Sequence, residues 1–225
     1  MFAGRNISAT HMAMSSTRVM ATCAVMGEAV GAGAALAMKN KCLPRDITER
    51  YISELQQILQ IDGCYIPGMK REIKRECYPD LISEKAAILT NGMERPYEKE
   101  ANTVSFSDGE SLCIEMQSPA RVLRLALDPD FSRKSISDDP KIQLFAMRTH
   151  LRLSQMPLKM PANLLRSCRI VFVASGGEVS EIKVEENRAP RLFFEIPQNT
   201  VTIKIQNLRS WGEKEIGFFS CETLS

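Results

Sequence analysis

Val201-Thr202-Ile203-Lys204-Ile205-Gln206 places branched apolar residues at alternate positions, with a threonine, a lysine and a glutamine between and beside them. A strand repeats every two residues, so Ile203 and Ile205 share one face and the polar residues share the other. One buried and one wetted face is the pattern of antiparallel sheet. Outward from this segment, residues 103–106, 111–116, 122–127, 142–147, 169–174, 182–185, 191–195 and 217–221 are read as further short strands. Asp108-Gly109, Asp128-Pro129-Asp130, Gly176-Gly177 and Pro197-Gln198-Asn199 punctuate them as turns. Short strands with such turns predict an antiparallel β-sandwich over residues 101–225.

Upstream the period changes. Ile47, Tyr51, Leu55, Ile58 and Leu59 form a helical stripe. Asp46-Ile47-Thr48-Glu49 reads as a capping box at its start, and Asp62-Gly63 ends it. The charged stretch that follows carries Pro79, Asn91-Gly92 and Pro96. It reads as a helix and loop linker over residues 69–100. Within it, Lys70, Arg71, Lys74 and Arg75 interleave with Glu72 and Glu76, the composition of a solvated helix face. The fold class expected is α+β, with helices in residues 1–68, the linker, and the sandwich.

Residues 19–38, VMATCAVMGEAVGAGAALAM, are almost all apolar or small. Their length suits a transmembrane helix, and with Arg5 and Arg18 ahead of them they could pass for a signal peptide. Glu28 in the middle, the scarcity of Leu, Ile and Phe, and the weakly basic lead-in weigh against both. A soluble helix capped by Ser15 or Ser16 is the other reading. On it, Gly27, Gly31, Ala35 and Ala24 make one nearly bare face, suited to the close approach of another backbone or a flat cofactor.

Bulk composition excludes some classes. The apolar share of 44% and charged share of 25% fit a folded protein. Net charge is +2, from 29 basic and 27 acidic residues, which offers no general attraction to nucleic acid or anionic membranes. The seven cysteines are widely spaced without a C-x-x-C pair, so free thiols in a reducing, cytoplasmic setting are expected rather than zinc or an iron–sulfur cluster.

Phe2-Ala3-Gly4-Arg5-Asn6-Ile7-Ser8-Ala9-Thr10-His11, Ser16-Thr17-Arg18-Val19-Met20-Ala21-Thr22-Cys23-Ala24 and Gly27-Glu28-Ala29-Val30-Gly31 together resemble the last flavin-binding motif of a bacterial family of FAD-dependent oxidoreductases with a glutathione-reductase-like FAD domain. The resemblance covers about the first forty residues. It implies a strand ending at the A-G-R turn and a following helix aimed at the flavin ring. A helix N-terminus carries unsatisfied N–H groups and partial positive charge. Backbone N–H groups of Arg18, Val19 and Met20 would then stabilise the negative charge of reduced flavin. Gly4 would let the chain pass the cofactor, Arg5 would pair with phosphate or close off the site, and Ser8 and Thr10 would offer hydroxyls. His11 is a candidate proton-transfer group or a structural histidine beside the site. Cys23 reads as a packing residue.

A G-x-G-x-x-G strand–turn–helix is absent from the sequence, so FAD would need a nucleotide-binding region from elsewhere. The expectation is a C-terminal fragment, inactive alone. Residues 121–131, 147–167 and 208–212 resemble the discoidin-like, jelly-roll accessory domain of some family members. That resemblance implies a possible glycan partner, and Trp211 could stack on a sugar or anchor a loop. A non-enzymatic carbohydrate-binding module is the alternative function. Asp128 and Asp130 read as turn residues rather than a calcium site, and the apolar loop 153–165 is expected against the FAD domain.

Overall fold

The structure is a computed structural model that describes residues 1–73, 76–95, 102–129 and 160–225. The strand expected at 142–147, most of the loop 153–165, and Lys74, Arg75, Pro96 and Asp130 lie outside those residues. The chain divides into two compact units, Met1–Glu72 and Ile73–Ser225.

The first unit is helical. A 3-10 turn, Gly4–Asn6, leads to helix α1, His11–Thr17, and then to α2, Met20–Lys39. Two shorter helices follow, α3 Pro44–Arg50 and α4 Ile52–Asp62. Their core is small: Leu36 and Ala37 of α2 against Ile47, Leu55 and Leu59. Gly33 is the point of close approach, since a Cβ there would sit 3.6 Å from the Leu55 side chain.

The stripe from Ile47 onward is split into α3 and α4 at Tyr51, whose φ of −123° leaves the helical region. The cap also lies three residues earlier than expected. Leu43 is the N-cap, Pro44 occupies the first turn, and Asp46 reaches back to accept the Leu43 N–H at 2.9 Å. Pro44 explains the shift, because its fixed φ suits the first helical position. The other end is as expected: Gly63 takes a left-handed φ of 100°, and the Cys64 N–H closes onto Leu59 O at 2.9 Å.

Among the described residues, the second unit is a β-sandwich of two four-stranded antiparallel sheets. One has the order β1-β8-β3-β6 and the other β2-β7-β4-β5. The strands are β1 Val104–Ser107, β2 Leu112–Glu115, β3 Val122–Asp128, β4 Leu165–Ala174, β5 Val179–Val184, β6 Arg191–Glu195, β7 Thr200–Ser210 and β8 Glu215–Leu224. The alternation at 201–206 is realised in β7. Ile203 lies between Ile114 and Phe172, and Ile205 between Leu112 and Ile170. These side chains meet Leu123, Leu125, Leu127, Ile216 and Phe218 of the other sheet in one core. Phe106 and Phe218 pack edge to face at 5.2 Å.

The segment read as a linker contributes to this core. Cys77 pairs with Glu115, and the buried Tyr78 donates its hydroxyl to Cys221 O. Helix α5, Ser83–Leu89, packs on β8 and buries Leu89. Charged residues, with two prolines and an Asn-Gly pair, dominate the segment's sequence and conceal these two anchors. Arg71, assigned from sequence to a solvated face, is buried at 4% exposure and lies in no helix.

Candidate functional site

Gly4 adopts a φ of 86°, which strains any residue with a Cβ, and a Cβ there would lie 3.9 Å from that of Cys23. Gly4 therefore seats the turn on α2. Cys23 is half-buried and its thiol donates to Thr17 O at 3.4 Å, as a packing residue would. Thr10 caps α1, its hydroxyl accepting the Ala13 N–H at 3.3 Å. His11 is the first residue of α1 and is exposed, as are Arg5 and Ser8.

Two details differ from the sequence reading. Ser15 and Ser16 lie inside α1 and do not cap α2, whose N-cap is Val19. The Arg18 N–H is already donated to Met14 O at 3.2 Å. The first intrahelical bond of α2 runs from Cys23 N–H to Val19 O, at 2.9 Å, so the donors at its open end belong to Met20, Ala21 and Thr22. Met20 is 87% exposed. The small-residue face is uncovered: Ala24, Gly27, Gly31 and Ala35 are exposed, and nothing approaches a Cβ position at Gly27 or Gly31 within 4 Å. Helix α2 is long and apolar enough to cross a membrane, by length and composition, with 17% of its apolar window buried.

Two depressions lie among the described residues of the sandwich. An open groove of about 790 Å³ runs between Asp108, Arg166, Lys183, Glu186, Arg209 and Trp211. Trp211 is held on two sides. Its indole N–H donates to Asn187 O at 2.7 Å, and the Arg166 guanidinium lies 5.0 Å from the ring centroid. These contacts fit the anchoring role better than a bare stacking platform. Arg166 pairs with Glu186, and Arg209 with Asp108. The second depression, about 950 Å³, lies between the loops 116–122 and 195–201. Gln117, Gln198, Asn199, Arg121 and Glu195 line it over an apolar floor that includes Met116 and Ile196. Among the described residues no group of three or more His, Cys, Asp or Glu could hold a metal ion.

The seven cysteines are free thiols. Burial pushes Cys168 up to about 12, and burial, with Glu222 and Cys168 nearby, holds Cys221 well above its ordinary value. The folded state keeps the Cys168 proton that the unfolded chain releases near 9. The contribution of Cys168 to stability is therefore unchanged below pH 9 and is lost as pH rises from there to about 12. Cys168→Val is expected to flatten that alkaline decline in urea titrations. Iodoacetamide at neutral pH is expected to label the exposed Cys77 and spare Cys168 and Cys221 until unfolding, read by peptide mass spectrometry.

A charge cluster that sequence reading did not register sits on the outer face of the β1-β8-β3-β6 sheet. Arg124, fully buried, donates to Glu94 through both terminal nitrogens, to Glu222 at 3.0 Å and to Ser220 at 3.1 Å. Arg191 donates to Glu94 at 3.2 Å. The signal available was Arg124 itself, interrupting the leucines of Val122–Asp128.

Against this geometry stand the comparisons. Residues 1–59 match the family model described as FAD dependent oxidoreductase. The match reaches no further, and the chain matches no curated protein. Among solved structures, a two-domain protein of unknown function from Bacteroides fragilis NCTC 9343 is 12% identical with a TM-score of 0.44, over 71% of this chain and 44% of that one. The chain thus spans less than half of that protein. A structure of accessory secretory protein 1, 2 and 3 in Streptococcus pneumoniae is 12% identical, with a TM-score of 0.26, over 55% of this chain and 86% of that one. A glycosylation-associated protein complex from Streptococcus agalactiae is 13% identical, with a TM-score of 0.23, over 54% and 40%. At these scores none of the three bears on ligand or activity.

Proposed function

We propose that residues 1–68 are the flavin-facing closing segment of the FAD-binding domain of an FAD-dependent oxidoreductase, and that the sandwich is its accessory domain. The family match over residues 1–59 carries this reading. The exposure of Arg5, Ser8, His11, Arg18 and Met20, and the open face of α2, support it, because residues that meet a cofactor are not consumed by their own fold. The backbone donors of Met20, Ala21 and Thr22 take the role first assigned to Arg18, Val19 and Met20. When bound, FAD would supply the redox chemistry. This chain's part is to orient the ring and offset its negative charge with the end of α2. Thr10 and Gly4 act through the local fold, as cap and as turn. Seven free thiols fit a cytoplasmic setting.

The reading requires a nucleotide-binding fold that these 225 residues do not contain. The 225-residue protein alone is expected to purify colourless. Supplied with such a region, as in a longer natural protein, it should hold flavin near one per chain, read by absorbance after denaturation. A colourless longer protein that ignores added FAD defeats the reading.

A second reading is favoured by the sandwich, the unit with its own large core and clefts. On it the chain is a non-enzymatic carbohydrate-binding module. The strand orders 1-8-3-6 and 2-7-4-5 support a discoidin-like jelly roll of two Greek keys. The amide-rich cleft between loops 116–122 and 195–201 offers paired donors and acceptors for vicinal hydroxyls. Binding on a glycan array that is lost in Gln117→Ala with Asn199→Gly supports this reading, and a blank array removes it.

A further inference from the structure

The Glu94 carboxylate lies where a bound ligand would. Both terminal nitrogens of Arg124 on β3 reach its two oxygens, Arg191 on β6 donates at 3.2 Å, and the Ser220 hydroxyl on β8 donates at 3.4 Å. Two guanidiniums and a hydroxyl from three adjacent strands thus converge on one carboxylate, in the fork geometry that selects this anion. Glu222, itself paired with Arg124 at 3.0 Å, balances the second positive charge. Arg124 is fully buried, so its charge needs partners of this kind.

Glu94 comes from a strap, not from the sheet. The strap is fixed at its other end by a different set of contacts. The Glu76 carboxylate accepts the Gln117 N–H at 2.8 Å and the Thr223 hydroxyl, Cys77 exchanges backbone bonds with Glu115, and Tyr78 bonds Cys221 O. Between the two ends runs α5, whose one fully buried side chain is Leu89. We propose that Arg124, Arg191 and Ser220 form a carboxylate receptor on the outer face of the sheet, filled in cis by Glu94, and that this contact is a latch on the far end of the strap, beside the Asn102 bonds that hold Asn91 and Met93. The receptor is built by the strands, so it persists when Glu94 is removed and then accepts a small free carboxylate.

The experiment uses the full chain and acetate as the probe. Glu94→Ala is expected to lower the sandwich's unfolding midpoint by about 10 °C. Sodium acetate at about 0.2 M should recover at least half of that loss, and sodium chloride at equal ionic strength should not. Wild type and Glu94→Ala with Arg124→Met should show no acetate-specific gain. Should Glu94→Ala not fold, Glu94→Gln keeps the shape and removes the charge. Trypsin cleavage after Lys85 in that variant should rise about tenfold. The proposal is overturned if acetate and chloride act alike on a folded Glu94→Ala, or if Glu94→Gln is as resistant to trypsin as wild type.

Discussion

Arg124→Met is expected to lower the unfolding midpoint of the sandwich by roughly 6–20 °C, the equivalent of about 3–5 kcal/mol. The side chain of Met fills the guanidinium's stem space, so the loss is electrostatic rather than a cavity. Glu222, at 1% side-chain exposure, and Glu94, at 11%, would lose the cation between them. Arg191 already pairs with Glu94. The desolvation cost of a buried carboxylate without its partner exceeds what a surface pair contributes, which is why Arg166–Glu186 and Lys39–Glu54, both exposed, are expected to matter little. Replacing the group as a whole separates the causes. Arg124→Met with Glu94→Gln and Glu222→Gln removes the stranded charges and should recover most of the midpoint. Thermal unfolding followed by circular dichroism reads all of these. A single variant within about 2 °C of wild type would show that the cluster is not what holds the strap and strands together.

The helical unit and the sandwich were legible in the sequence to different degrees. Ile203 and Ile205 announced β7 because a two-residue period survives any tertiary detail, and the structure extends that strand to Thr200–Ser210. Asp62-Gly63 announced a helix end because only glycine sits easily at that φ. Failures came where two local signals competed. Ser15 and Ser16 look like caps, yet Thr10 caps first and draws both serines into α1, so α2 begins at Met20. Asp46 looks like a cap, yet Pro44 starts the helix sooner. The strap was hidden for another reason. Tyr78 and Leu89 are isolated apolar residues in a charged stretch, and their burial depends on β8, more than a hundred residues away. Arg124 was visible as an interruption, but its partner Glu94 is joined to it only by the fold. In the segment that matches the family model, the sequence pattern indicated the region, while the structure decided which backbone donors remain open at α2.

The second large effect concerns those donors. Met20→Glu places a carboxylate at the first position of α2, on a side chain that is 87% exposed and touches nothing essential to the fold. An acidic residue there stabilises a helix by a few tenths of a kcal/mol, so the unit should fold at least as well. On the proposed reading, the same charge opposes the negative charge of reduced flavin. At a separation of about 5 Å and an effective dielectric near 20, the repulsion is on the order of 3 kcal/mol before solvent screening, and about half of that after it. The reduced cofactor would then bind about tenfold less tightly relative to the oxidised one, which lowers a two-electron midpoint by about 30 mV. Met20→Gln adds polarity without charge and should leave the midpoint unchanged.

The decisive measurement is the flavin midpoint potential of a longer natural protein that contains this chain together with a nucleotide-binding region, with Met20→Glu beside Met20→Gln. A fall of about 30 mV in the first and none in the second is the expected result. Equal midpoints in both variants, with flavin fully bound, would mean that the end of α2 does not face the isoalloxazine ring.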